Sequence, residues 1–177
     1  MTNGDTWLVI IDMQNVFASG PITWRCPDFG KIIEPIRRLA ADYPGRTLLT
    51  RFVDAPQKAG SWVQYYKESA FANVPESNCM YEIVTALQDL ITADNVVTRT
   101  TFNKWDGILS KTGPYPHLLL AGVATDCCVL STALQAAEAG AFVTVALNAC
   151  AGSSPENQMA AERILRGYKP LIQVTGT

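Results

Sequence analysis

The sequence predicts a three-layer, doubly wound α/β fold: a mainly parallel six-stranded sheet with helices on both faces. Three observations carry that expectation. Six short apolar runs recur along the 177 residues. They are continuous and do not alternate, the pattern of strands buried on both faces. Amphipathic stretches lie between most of them, as the crossovers of a parallel sheet require. With 48% hydrophobic residues, a chain of this length is long enough to bury one good core and too short for two domains, so one domain over residues 1–177 is expected.

The runs are TWLVIID (6–12), RTLLTRF (46–52), NVVTR (95–99), HLLLAGV (117–123), AFVTVAL (141–147) and PLIQVTG (170–176). Helical patterns cover 28–43, 80–91, 126–140 and 155–168. Gly45, Gly140 and Gly167 stand as C-terminal stops, and Pro155 falls in a first helical turn. Pro35, inside the first helical pattern, is expected to kink that helix or to delay its start. The stretch 54–78 has weak periodicity and many turn formers, and reads as a long excursion from the sheet.

A net charge of −2 and the absence of any Lys/Arg run leave no electrostatic footprint for nucleic acid or an acidic membrane surface. No segment reaches the roughly 18–20 apolar residues of a membrane span, and the first residues lack a basic leader. A cytoplasmic protein with a small-molecule partner is expected. The five cysteines (Cys26, Cys79, Cys127, Cys128, Cys150) are odd in number and lack CxxC spacing, which argues for reduced thiols over a disulfide framework or a structural zinc site.

Ligands of open parallel sheets bind beyond the carboxyl ends of the strands. Asp12 closes the first run, Lys104 follows the third by five residues, and Cys128 follows the fourth through the short turn ATD. A thiol at the start of a helix meets unpaired backbone N–H groups, which lower its pKa and offer an oxyanion site. Histidine is the usual proton acceptor for such a thiol. His117, the one histidine, begins the strand that ends at Val123, so about six residues at roughly 3.3 Å each place it some 20 Å away. A carboxylate is the next candidate, and Asp12 is the one delivered to the right edge. Lys104 would hold Asp12 ionised and stabilise the thiolate. Adjacent helical positions point about 100° apart, so Cys127 reads as packing. Phe17, Trp62 and Trp105 are candidate pocket residues, with core packing the alternative, and Arg51 is a candidate either for a substrate carboxylate or for a helix-facing salt bridge.

At these residues the chain resembles the isochorismatase-like cysteine hydrolases, the group that includes nicotinamidases, N-carbamoylsarcosine amidohydrolase and ureido-acid hydrolases. VIIDMQNVF (9–17) is similar to the family's first-strand signature, VTRTTFNKWDG (97–107) to its lysine segment and GVATDCCV (122–129) to its nucleophile turn. The resemblance implies Asp12, Lys104 and Cys128 as the catalytic set. It also implies a cis peptide before Ala124, with the Ala124 and Cys128 amides turned to the substrate oxygen, Asp126 as helix cap and Phe17 in the pocket. Nicotinamidases carry a metal site of one Asp and several His after the second strand, where this chain reads LLTRFVDA without histidine. A metal-free amidohydrolase of linear amides or carbamoyl/ureido compounds is therefore expected, with no organic cofactor. Members of the family commonly oligomerise, so a homo-oligomer, dimer or tetramer, is expected too. Competing readings are an isochorismatase-type vinyl-ether hydrolase, which needs the aspartate and not the cysteine, a Cys127–Cys128 redox sensor, and a non-catalytic oligomeric subunit.

Overall fold

A computed structural model describes residues 5–176. The strands β1 (Thr6–Ile11), β2 (Thr47–Phe52), β3 (Val96–Arg99), β4 (His117–Val123), β5 (Phe142–Ala151) and β6 (Ile172–Thr175) form one sheet in the order β3-β2-β1-β4-β5-β6. Every pairing is parallel, as the continuous apolar runs predict. The reason is visible in β1. Leu8 and Ile10 enter one core, Val9 and Ile11 the other, and all four are fully buried.

The chain winds from β1 out to β2 and β3, then returns past β1 to β4. The switch of direction between β1 and β4 opens a crevice at their carboxyl ends, where such sheets place ligands. Ile11 lies opposite Gly122, so Asp12 and the chain leaving β4 emerge side by side. At Gly122 (φ +114°) a Cβ would sit 2.2 Å from the Ile11 carbonyl oxygen, so this approach admits only glycine.

Helices α1 (Asn15–Ser19) and α2 (Phe29–Asp42) cover one face together with α3 (Ser61–Glu68), while α4 (Trp105–Thr112), α5 (Leu130–Glu138) and α6 (Pro155–Gly167) belong to the other. Helix α2 starts at Phe29 and runs through Pro35, so the proline neither delays its start nor ends it. Pro155 opens α6, where the Ser154 side chain accepts the Asn157 N–H. Gly45 (φ +72°) and Gly140 (φ +91°) take the left-handed conformation of helix stops, whereas Gly167 is the last residue of α6 without it.

Three expectations need correction. The helix expected over 80–91 is a pair of 3₁₀ turns, Cys79–Tyr81 and Thr85–Leu90. Between them the backbone is drawn out to pair with the residues that follow β1, through Asn15 N–H to Glu82 O (3.0 Å) and Val84 N–H to Met13 O (2.9 Å). These long-range bonds override local helical preference. The excursion 54–78 contains helix α3, where Trp62, Tyr65, Tyr66 and Ser69 share the inward face at helical spacing. Strand β5 extends to Ala151, four residues past the expected 147, through a register shift that sets Gly122 opposite Cys150.

Among the described residues no helix is long and apolar enough to cross a membrane. All five thiols are reduced.

Candidate active site

Asp12 leaves β1 with φ +47°, a left-handed conformation that aspartate tolerates better than most residues, and its side chain is fully buried. Thr50 on β2 fixes it twice. The Thr50 hydroxyl donates to Asp12 Oδ1 at 2.5 Å and accepts the Asp12 N–H at 3.1 Å. The second carboxylate oxygen faces Lys104 Nζ at 2.9 Å, an ion pair with neither side chain exposed.

Lys104 is delivered by the turn between β3 and α4. Its ammonium also donates to the carbonyls of Thr101 (2.7 Å) and Phe102 (2.9 Å), and its backbone N–H donates to Thr132 Oγ1 (3.1 Å). Burial alone works against this charge. The Asp12 carboxylate and the nearby Cys128 sulfur outweigh it, and the net effect raises the lysine above its ordinary value.

Strand β4 ends in a cis peptide between Val123 and Ala124, and the chain enters a π-helical turn, Thr125–Val129, that continues into α5. The Ala124 carbonyl accepts the N–H groups of both Cys127 (3.0 Å) and Val129 (3.1 Å). Cys128 is buried on this turn. Its thiol is pushed well above the ordinary 9.0, first by hydrogen bonding to Cys127, then by burial and by Asp12, against which Lys104 pulls down. The expectation of a thiol acidified by its helix start is thereby corrected. Burial and the neighbouring side chains, Cys127 first, oppose the acidification expected from the helix start.

Asp126 corrects a second expectation. Its carboxylate makes no cap on its own turn. It accepts the Ser153 N–H and hydroxyl, both at 2.7 Å, and so ties the turn to the end of β5.

Cys128 lines a cavity of about 410 Å³. Ala124, Cys127, Asp126 and Ser153 form its floor, and Phe17, Trp24, Phe52, Tyr65 and Phe102 its walls, with Thr23, Glu68 and Ser69 completing it. Of the aromatic candidates, Phe17 lines this cavity, stacked on Trp24 at 5.8 Å. Trp62 stands behind the wall, against Phe102 (5.0 Å) and Tyr65 (5.3 Å). Trp105 lies in the core of the opposite face. Arg51 is remote from the cavity. It donates to the Tyr81 and Glu76 carbonyls and pairs with the Glu76 carboxylate at 3.3 Å, beside a separate surface groove.

Sequence reasoning passed over Trp24, Phe52, Tyr65 and Phe102. The spacing of Tyr65 with Trp62 and Tyr66 was a usable helical signal, but nothing local says that the helix folds over the sheet end. It also passed over Gln14, whose buried amide donates to the Phe52 carbonyl (2.9 Å) and the Tyr81 carbonyl (2.7 Å) and accepts the Phe52 N–H (2.8 Å).

A metal fits poorly after β2. Asp54 is there, but its carboxylate holds Lys58 Nζ at 2.8 Å, with the ammonium 4.6 Å from the Tyr66 ring centre. Among the described residues no three His, Cys, Asp or Glu side chains converge to hold a metal ion. A dication at Asp54 would have to displace an internal cation.

The isochorismatase domain matches residues 6–176, almost the whole chain. The protein belongs to the isochorismatase family. No curated protein matches it. Solved structures of the isochorismatase fold do. A cysteine hydrolase from Pseudomonas syringae pv. phaseolicola superposes with a TM-score of 0.82 at 16% identity, over 99% of this chain and 90% of that one. An isochorismatase-like hydrolase from Alkaliphilus metalliredigens gives 0.76 at 18% identity, over 98% and 95%. A nicotinamidase from Bacillus subtilis gives 0.74 at 23% identity, over 97% and 99%. At these identities the likeness establishes the shared fold.

Proposed function

We propose that this isochorismatase-family protein is a cysteine-dependent hydrolase of a C–N bond in a small amide or carbamoyl/ureido compound, acting through a thioester. The observation that carries the reading is the Asp12–Lys104 pair, wholly withdrawn from water and close enough to interact electrostatically with Cys128, whose thiol lines a cavity. Burying two charges is unfavourable, and cores gain as much from apolar residues, so such a pair behind a cleft points to chemistry. The cysteine hydrolase and nicotinamidase among the fold relatives support it.

The Cys128 sulfur attacks the substrate carbonyl carbon while its proton passes to the Asp12 carboxylate. A thiol raised above its ordinary range suits this order, because proton removal accompanies attack. The ammonium of Lys104, bonded to two backbone carbonyls and ion-paired with Asp12, holds Asp12 in place and offsets negative charge as it shifts between sulfur and carboxylate. The Ala124 and Cys128 amides receive the oxyanion. Collapse of the tetrahedral adduct breaks the C–N bond, and protonated Asp12 gives its proton to the departing nitrogen. Asp12 then takes a proton from water as the hydroxide oxygen attacks the thioester. Collapse of this second adduct breaks the C–S bond, Asp12 returns its proton to sulfur, and the acid leaves, carboxylic from an amide or carbamic from a carbamoyl compound. No metal enters any step.

Ammonia release from a panel of amides and carbamoyl compounds tests this, with hydroxylamine present to capture the thioester as a hydroxamate. Turnover should be lost in Cys128→Ala and unaffected by a chelator. Turnover that survives Cys128→Ala would refute the covalent mechanism.

A further inference from the structure

The charge and the aromatic content of the cavity bear on what it binds. Five aromatic rings, those of Phe17, Trp24, Phe52, Tyr65 and Phe102, face the space above Cys128. Two carboxylates, Glu68 and Asp126, also line it, and no lysine, arginine or histidine does. Neither carboxylate has a Lys or Arg partner within ion-pair distance among the described residues. The donors they receive are neutral, the Gln64 amide for Glu68 and the Ser153 N–H and hydroxyl for Asp126. The basic residues nearest in sequence to the lining, Arg25 and Lys67, are exposed and stand outside it. The buried Lys104 is matched by Asp12 and adds no net charge, but its ammonium already lies 5.4 Å from the Phe52 ring centre, so Phe17, Trp24, Tyr65 and Phe102 are the rings open to a cationic ligand.

The geometry points to an amide substrate that carries an alkylammonium group, the cation seated among the aromatic rings and drawn in by Glu68 and Asp126. This rests on the amidohydrolase reading above. Ring faces are negative and attract a cation, most strongly where water is excluded. Two carboxylates without a countercharge add to that attraction and oppose an anion at close range. A substrate carboxylate, as in a ureido acid, would find no cationic partner here, since Arg51, the residue expected to bind one, is engaged with Glu76 at a different groove. A volume of about 410 Å³ admits a small amide with a trimethylammonium or primary ammonium head.

Three amides separate the possibilities. Trimethylammonioacetamide and 3,3-dimethylbutanamide have the same shape and differ by a cationic nitrogen in place of a carbon, and the half-amide of succinate supplies an anion. The full-length protein should hydrolyse the cationic amide with kcat/KM at least about tenfold above its neutral isostere, and the anionic one at background. Raising salt should shrink the preference. Glu68→Gln should lower it by roughly threefold or more, chiefly through KM. A neutral amide hydrolysed as well as the cationic one overturns the inference and leaves the amidohydrolase reading standing. Binding of choline against 3,3-dimethylbutanol to Cys128→Ala, followed by calorimetry, gives the converse separation. Preference for choline without hydrolysis of any amide sustains the cation site and sinks the amide chemistry. Absence of both preferences, with no turnover, sinks both.

Discussion

The floor and the walls of the cavity are built on different principles. The floor, and the buried Asp12–Lys104 pair that stands outside the lining, are built on the ends of β1, β4 and β5 and on the β3–α4 turn. Their polar groups are fixed by directed contacts: Thr50 to Asp12, Lys104 to Asp12 and two carbonyls, Asp126 to Ser153. The walls are aromatic rings brought from α1, the following loop, β2, α3 and the segment before α4. They are held by ring contacts such as Trp24 with Phe71 (5.0 Å) and Tyr65 with Phe102 (5.5 Å). Directed bonds admit few substitutions, because a buried partner left alone is costly. Ring packing tolerates changes of similar volume. The same scaffold can therefore keep one chemistry while its walls change what is admitted.

That contrast can be broken deliberately. The largest effect is expected from Asp12→Asn, which keeps the side-chain shape and removes the proton acceptor. Turnover should fall on the order of 10²–10⁴-fold or more while circular dichroism stays that of a folded α/β protein. Lys104→Ala strips the countercharge from a buried carboxylate and should reduce unfolding stability by about 3–5 kcal/mol, measured by urea denaturation. A midpoint equal to wild type would mean that Asp12 finds water or another partner there. On the wall side, Trp24→Ala removes the ring that contacts Phe17, Phe52, Tyr65 and Phe71. A stability loss of about 3 kcal/mol is expected, with KM rising more than kcat falls. A loss confined to kcat would show that the wall also sets the reacting geometry. The smallest effect concerns pH. Burial pushes the Cys26 and Cys150 thiols up to about 12 from an ordinary 9.0. The folded state thus holds these protons more tightly than the unfolded chain. Their contribution is present below pH 9 and is lost as pH rises toward 12. Urea midpoints at pH 8 and pH 10.5 should show the decline, and Cys150→Ala, compared with itself, should flatten it.

How much of this was legible in the sequence follows the same division. The floor was readable because strand ends are local events: a buried apolar run stops at Asp12, another at Val123, and Cys128 follows within one turn. The walls were not, since Trp24 and Phe102 meet Tyr65 only after three separate crossovers have closed. Arg51 illustrates the limit. Its position one residue before the end of β2 suggested a ligand at the sheet's edge, but strand alternation and the Glu76 loop turn it toward another groove. The 80–91 segment failed for a related reason, because its backbone pairs with Met13 and Asn15 before it satisfies itself. The raised Cys128 thiol reflects the neighbouring Cys127 side chain, which the spacing had assigned to packing alone, together with burial and Asp12.

Phe102 and Cys127 pack against the buried clusters on both faces of the sheet. The two interiors, elsewhere kept apart by six strands, thus touch through the residues that surround the thiol. A void opened beneath α5 or beneath α2 would be relayed to the same few atoms, so sequence drift in either layer should register as altered substrate handling well before either interior loses its cohesion.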